Sequence, residues 1–337
     1  MKKVCILGAG AWGTAIATVL AHNGHQIKLW CREPEVAKNI KTNRINERYL
    51  PGVILSPLIE PITDLKDALC GAEYVFEAVP VKFLRSILEQ TKSCFSPEQT
   101  FVILSKGIEQ ETLMLPSQII DDVFGYSVKK AVIAGPSFAQ DLAQKSITAV
   151  SLAAQDCAIG TSLQEMMATP YFRPYISLDM IGVQVGAALK NVITLAIGML
   201  EGAGYGDNVK AYILTRGLHE MEQIAVKLGG KTETLYGLSG IGDLVLTGMG
   251  SMSKNLAIGK ELGSGKTLQE LETIMHTLPE GINTAASVHQ LMTQYALDLP
   301  VCQGVYSIIF QNMRIEDFLQ KLMARPLEAE CAIKILE

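Results

Sequence analysis

A strand, a glycine turn and a helix at the start of the chain constrain its fold more than any other stretch. Residues 3–7 read Lys-Val-Cys-Ile-Leu, followed by Gly8-Ala9-Gly10-Ala11-Trp12-Gly13 and the apolar run Thr14-Ala15-Ile16-Ala17-Thr18-Val19-Leu20. A G-x-G-x-x-G turn between a strand and a helix is a dinucleotide-binding fingerprint. Gly8 turns the chain sharply off the strand, Gly10 lets a pyrophosphate approach the backbone with no Cβ in the way, and Gly13 lets helix and strand pack closely. The helix aims free N–H groups and its positive dipole end at the phosphates. The pattern predicts a Rossmann-type βαβ unit.

At 337 residues the chain exceeds one ordinary core, so two domains are expected. With 48% hydrophobic and 19% charged residues it has the make-up of a folded protein with well-stocked cores. A net charge of −5 argues against nucleic acid or an anionic membrane as partner, so any basic groups that matter must be locally placed. The seven cysteines (Cys5, Cys31, Cys70, Cys94, Cys157, Cys302, Cys331) are scattered, never C-x-x-C, mostly set in apolar runs, and read as small reduced core residues of a cytoplasmic protein. With a strand opening at residue 3, no leader peptide is expected. His22, His25, His219, His276 and His289 show no metal-ligand spacing, and no metal is expected.

After the first helix, Gln26-Ile27-Lys28-Leu29-Trp30 reads as a second strand, and the residues after it bear on the cofactor. An acidic residue at that strand's end suits the ribose 2′-hydroxyl of NAD, whereas here Cys31-Arg32-Glu33-Pro34 puts a guanidinium there, which suits a 2′-phosphate. Glu33, one place later, keeps NAD open. Residues 46–52 break the next helix with a Pro-Gly turn. Further strands are expected at 73–79, 100–104 and 131–134, with a last one at 148–152. Ser105-Lys106-Gly107 follows one of these strand ends, where ligands of open α/β sheets bind, although a solvated loop lysine is an equal alternative there. Gly135-Pro136-Ser137-Phe138-Ala139 repeats the logic of the opening turn, with a glycine and a hydroxyl at a helix start.

From residue 181 strand signals nearly vanish, and helices are expected at 181–200, 209–228, 253–261, 268–275, 282–295, 304–310 and 314–323. A dinucleotide-binding domain over 1–180 and an all-α domain over 181–337 follow. Residues 181–200 are long and apolar enough to cross a bilayer, yet Gln184, Lys190 and Asn191 stand at the middle, where a lysine is costly in hydrocarbon. A helix buried on all sides is the simpler reading, with no integral membrane segment. Packing leaves Lys190 unexplained. Residues 259–267 imitate a phosphate loop with one residue too many between the glycines, and they read as a turn between helices.

On residues alone, a 3-hydroxyacid or 6-phosphogluconate type of dehydrogenase and a nucleotide-sensing protein without turnover both stay open. The combination of 8–13, Ser105-Lys106-Gly107, Gly135-Pro136-Ser137, Ala188-Leu189-Lys190-Asn191, Gly240-Ile241-Gly242-Asp243-Leu244 and Ser253-Lys254-Asn255 resembles the bacterial NAD(P)-dependent glycerol-3-phosphate dehydrogenases over essentially the whole chain. The resemblance implies reduction of dihydroxyacetone phosphate to sn-glycerol 3-phosphate for phospholipid synthesis, with NADP(H) and also NAD(H), in a homodimer. Carried over by position, it makes Lys190 the catalytic acid/base. Lys106, Gly135, Ser137, Lys190, Asp243, Ser253, Lys254 and Asn255 become substrate contacts. Gly8, Gly10, Trp12, Gly13, Arg32, Lys106, Ala139, Lys254 and Glu280 become cofactor contacts. The chain departs from the family in having Ala11 for its usual Ser and Lys254 for its usual Arg.

The chemistry agrees with that assignment. Hydride transfer to a ketone builds charge on oxygen and needs a positioned proton donor, and a desolvated lysine has its pKa lowered toward the working range. A phosphate handle needs cations and amides, which Lys106, Lys254 and Asn255 supply. Asp243, expected in a glycine-rich turn, is placed to orient or balance the lysine, with a helix N-cap as the plainer role.

Overall fold

The computed structural model describes residues 1–274 and 278–326. Cys5, Cys31 and Cys302 are buried as expected of core residues, whereas Cys70 and Cys157 are exposed and Cys94 is half-buried; Cys331, His276 and the end of the helix expected at 268–275 lie outside the described residues. In chain order the strands are β1 (Lys3–Leu7), β2 (Gln26–Trp30), β3 (Ile45–Asn46), β4 (Leu50–Ile54), β5 (Ile59–Ile62), β6 (Tyr74–Glu77), β7 (Thr100–Ile103), β8 (Lys130–Ala134), β9 (Thr148–Ala154) and β10 (Phe172–Ser177). β3 and β4 pair with each other, and the other eight form one sheet in the order β10-β9-β8-β7-β6-β1-β2-β5. All its ladders are parallel except β8 with β9. β1 is flanked by β2 on one side and β6 on the other, so the chain direction across the sheet reverses there. That reversal opens a crevice beyond the strands' C-terminal ends.

Parallel strands covered on both faces read as unbroken apolar runs, and β7 and β8 are buried at every position. One face carries α1 (Ala11–His22), α2 (Pro34–Asn43), α6 (Ala139–Ala143) and α7 (Cys157–Met167). The other carries α3 (Leu65–Leu69), α4 (Val81–Thr91) and α5 (Pro116–Phe124). Two sheet strands lie outside the sequence expectation. The strand expected last, at 148–152, is followed by β10, and the Pro-Gly break after residue 46 continues into the β3–β4 hairpin and then β5. β5 and β10 are the two edges of the sheet and carry Pro61 and Pro174. Proline is tolerated at an edge, where an N–H is not needed for the ladder, and it erases the sequence signal of a strand.

The remaining helices are α8 (Met180–Gly202), α9 (Asp207–Lys227), α10 (Thr232–Leu235), α11 (Asp243–Met249), α12 (Lys254–Gly263), α13 (Leu268–Ile274), α14 (Glu280–Tyr295), α15 (Pro300–Gln311) and α16 (Ile315–Met323). α8 is the apolar helix of membrane-crossing length, and 89% of its most hydropathic stretch is buried inside the protein. Val183 and Ala187 near its start pack with the sheet core, while residues from Ala188 onward pack with the helical core. Its start is capped by the Asp179 carboxylate, which accepts from Gly182 N–H at 2.8 Å and from Lys231 N–H and Thr234 Oγ–H.

α8 and α12 cross with backbone nearly touching backbone. A Cβ on Gly198 would lie 2.4 Å from Leu256 O, and one on Gly259 would lie 2.5 Å from Leu195 O. Gly202 and Gly263, each one turn further on, repeat the contact against Lys260 O and Met199 O at 2.1 Å. Glycines at these positions let the axes approach more closely than side chains would allow. Of the stretch that imitates a phosphate loop, residues 259–263 are the end of α12, and the expected turn follows at 264–265, with Gly265 at φ +98°.

Candidate active site

The opening turn has the geometry that a dinucleotide requires. Gly8 has φ +116°, and a Cβ there would strike Ala78 O at 2.8 Å. A Cβ on Gly13 would lie 2.1 Å from Gly8 O, so strand and helix are in contact through it. Gly10 differs, since nothing lies within 4 Å of where its Cβ would be. That open space lies at the start of α1, where no side chain caps the helix and no acidic residue stands in the first turn. Asn46 Nδ2 fixes the loop by donating to Ala9 O and Thr14 Oγ1, both at 2.8 Å. Trp12 Nε1 is a buried donor without a partner among the described residues. An uncapped helix start, an open cradle and an orphaned donor together fit a bound dinucleotide.

Beyond β2, Arg32 is largely exposed and pairs with Glu33 at 2.7 Å, while Tyr49 Oη–H donates to the same carboxylate at 3.2 Å. Burial pushes the Glu33 carboxyl up, but Arg32 and Tyr49 outweigh it and leave it below its ordinary value. β1 and β2 are neighbours, so Arg32 sits on the opposite side of the turn from the lysine cluster.

That cluster joins three residues from distant parts of the chain. Lys190, in mid-α8, donates from Nζ to Asp243 Oδ1 at 3.0 Å and to Thr247 Oγ1 at 2.7 Å. Lys106, in the loop after β7, donates to Asp243 Oδ2 at 2.7 Å. Asp243 is 1% exposed and Lys190 7%. The aspartate begins α11 directly after a π-helical turn at Leu238–Gly242, so it belongs to a helix rather than to the expected glycine-rich turn. Thr247 stands one helical turn further along the same face and bonds Asp243 Oδ1 at 3.2 Å.

Burial lowers the Lys190 pKa to about 8; the repulsion of Lys106 adds to this and the Asp243 charge opposes it. Burial alone would raise Asp243, but the two lysines hold it below the ordinary carboxylate range. An ammonium has three hydrogens, and two are used, which leaves one for a ligand.

Asn191, beside Lys190, accepts from Asn255 Nδ2 at 2.9 Å, and Asn255 Oδ1 accepts from Gly281 N–H at 3.2 Å. The start of α12 is thereby tied to α8 and to α14. Ser253 is buried and spends its hydroxyl capping α12, while Lys254 is exposed beside it. Glu280 begins α14 next to Gly107, and burial pushes its carboxyl up to about 7 against the pull of Lys82 and the Val81 N–H. Pro136 packs near Gly242, which brings the 135–137 turn to the foot of α11, and Ser137 Oγ–H donates to Gly135 O at 3.0 Å. Ala139 opens α6 and packs in the core beside α1. The sequence reading did not single out Thr247, Asn191 as partner of Asn255, or the buried Glu77 below Ser105; an i,i+4 hydroxyl after Asp243 was the one available sign of Thr247.

A dinucleotide turn at a topological switch point, with a half-buried lysine from a sheet loop and a buried lysine from a helical second domain sharing one aspartate, defines a two-domain nicotinamide-dependent dehydrogenase. The comparisons narrow the class. Residues 3–159 match the family described as NAD-dependent glycerol-3-phosphate dehydrogenase N-terminus, and residues 179–320 match its C-terminus. The chain is 38% identical to the NAD(P)+ glycerol-3-phosphate dehydrogenase of Rhodospirillum rubrum, over 98% of this chain and 94% of that one. It is likewise 38% identical to the enzyme of that name from Bacillus velezensis, over 96% and 95% of the two chains. A solved structure of glycerol-3-phosphate dehydrogenase from Coxiella burnetii superposes with a TM-score of 0.92 at 33% identity, covering 96% of this chain and 99% of the other. The chain belongs to the NAD-dependent glycerol-3-phosphate dehydrogenase family.

Proposed function

We propose that this chain reduces dihydroxyacetone phosphate to sn-glycerol 3-phosphate with NADPH, and also with NADH, supplying glycerophospholipid synthesis. The observation that carries the reading is the Lys106–Asp243–Lys190 cluster at the C-terminal edge of the sheet, beside the 8–13 turn. A reduced nicotinamide bound at that edge supplies the hydride. Lys190 gives its proton to the substrate oxygen as charge develops there, with Asp243 and Thr247 holding the ammonium in place. Lys106 stands beside the same oxygen, and Lys254, Asn255, Ser253 and the 135–137 turn hold the phosphorylated substrate. Gly8, Gly10, Trp12, Gly13, Arg32, Ala139 and Glu280 line the cofactor. Residues 1–180 form the dinucleotide domain and 181–337 the substrate domain, in a cytoplasmic homodimer. Light scattering on the purified protein tests the assembly, and a monomer refutes that part.

Lys190→Met tests the core of the proposal, since it keeps the stem's approximate length and removes the charge. The purified wild type is expected to oxidise NADPH and NADH when given dihydroxyacetone phosphate. The variant should lose about 10²–10⁴-fold in kcat, the usual worth of a positioned acid/base. Its melting temperature should be unchanged or higher, because an apolar side chain replaces a desolvated charge. Turnover within about threefold of wild type, under ~1 kcal/mol of barrier, removes Lys190 from the chemistry.

A further inference from the structure

Glu77 is the last residue of β6 and lies in register with Leu7 of β1 and Ile103 of β7, on the floor of the central crevice. It is wholly buried, at 0% exposure. Its carboxyl is satisfied by nearby backbone and one hydroxyl. Ser105 donates its Oγ–H at 2.5 Å and its N–H at 3.2 Å to Oε1, and Val79 donates its N–H at 3.4 Å to Oε2. No cation is among these partners. Burial pushes the group up to about 8, so at neutral pH it is chiefly the neutral acid.

A carboxyl in this strand has no packing rationale. Its strand neighbours Val75 and Phe76 are fully buried and apolar, and an aliphatic side chain would fill the place at less cost. What Glu77 does hold is Ser105. The next residue is Lys106, whose Nζ reaches Asp243, the carboxylate that also takes Lys190. The loop then turns at Gly107 with φ +157°, against Val81 and Glu280. Between the end of β7 and that turn, the pair of bonds from Ser105 tethers the segment to the sheet, beside the bond that Lys106 itself makes to Asp243.

We propose that Glu77 is a positioning residue for the reduction: it clamps Ser105 through two hydrogen bonds and thereby holds Lys106 against the Asp243–Lys190 pair. It touches neither substrate nor cofactor and acts through the loop. The proposal rests on the placement of Lys106 in the active site, so the experiment separates the two.

The test uses the full-length protein, with kcat and KM for dihydroxyacetone phosphate, the Kd for NADPH and the melting temperature measured at one neutral pH. Glu77→Val removes the clamp, and about a tenfold or greater loss in kcat/KM is expected with NADPH Kd within about twofold of wild type. Glu77→Gln keeps an oxygen acceptor for Ser105 and the neutral state, and it is expected to stay within about threefold of wild type. Ser105→Ala removes the hydroxyl bond and keeps the N–H bond, so it should lose in the same direction but less than Glu77→Val, and the double variant should lose no more than Glu77→Val alone, because the valine already removes both bonds. A folded Glu77→Val with wild-type kinetics beside an impaired Lys106→Ala overturns the clamp alone, whereas an unimpaired Lys106→Ala overturns the reading of the site itself. Strictly additive losses in the double variant, or Glu77→Gln as impaired as Glu77→Val, also overturn it. Should Glu77→Val fail to fold, Ser105→Ala decides, and normal kinetics in that variant refute the proposal.

Discussion

Asp243→Asn is the most informative single substitution, because one carboxylate is shared by two cations in a buried site. In the native cluster Lys190 has a pKa of about 8, lowered by burial and by Lys106 and held up by Asp243. Reduction requires the protonated ammonium, so the reductive kcat/KM is expected to be level below that value and to fall as pH rises through it. The amide keeps the shape of the carboxylate and removes the negative charge that raises the Lys190 pKa. An opposite charge at 3.0 Å contributes about 5 kcal/mol at an effective dielectric of about 20. In proteins such a neighbour moves a pKa by about 1–3 units. The limb should therefore move from about 8 to roughly 5–7. For a shift of about two units the protonated fraction at pH 7 falls from about nine-tenths to about one-tenth, and kcat/KM falls about tenfold there and recovers toward pH 5. Initial rates of NADPH oxidation across that range read the shift directly. The reverse reaction, which needs the neutral amine, should move the same way and gain at low pH. A reductive limb that stays at the wild-type position, or moves to higher pH, refutes the reasoning.

The three glycines of the opening turn separate stability from binding. Gly13→Ala forces a Cβ to within 2.1 Å of a backbone oxygen, and a thermal melt should show a loss of about 1–3 kcal/mol or more. Gly10→Ala meets nothing within 4 Å; it should melt like wild type and weaken NADPH binding by about tenfold or more in a fluorescence titration. Equal melting losses in the two variants would contradict this. Lys254→Ala should raise KM for dihydroxyacetone phosphate by about tenfold, the worth of a charge-assisted bond, and leave the use of unphosphorylated dihydroxyacetone unchanged. If both substrates suffer alike, Lys254 serves the fold or the cofactor. Arg32→Ala should raise KM for NADPH far more than for NADH, at little cost in stability because the Arg32 side chain is largely exposed. An equal effect on both cofactors removes Arg32 from the 2′-phosphate.

What could be read from the chain follows the range of the interactions involved. The strand–turn–helix opening is local, and its steric demands fall on residues within one motif. Lys190 stood out because a cation in the middle of an apolar helix is an anomaly without any structure. Its partner Asp243 is named beside the family resemblance rather than from any local pattern, and Thr247 is not named. Asp243 lies 53 residues from Lys190 and 137 from Lys106, and no periodicity links them. β5 and β10 went unread because edge strands tolerate the prolines that mark breaks elsewhere. Glu77 falls inside the strand expected at 73–79 without being singled out, and its full burial and its register between two neighbouring strands emerge only from the assembled sheet.

The placement of charge resolves what composition left open. The chain carries a net charge of −5, yet its buried cluster holds two lysines against one aspartate at the crevice where α1 presents an uncapped N-terminus. Asp243 keeps that pair of cations tolerable in a desolvated site without neutralising it, so a net positive charge remains where the field is least screened. The close crossing of α8 and α12 then sets Lys254 and Asn255 on the same rim, because the glycine contacts at Gly198 and Gly259 leave the Asn191–Asn255 bond little freedom to shift. A larger residue at Gly198 would drive the helices apart and lengthen that bond before it disturbed Lys190, whose own partners are on α11. On the proposed function, the reacting oxygen and the phosphate of one substrate would thus be met by two separately anchored sets of groups, and a defect in either anchor should weaken one contact without displacing the other.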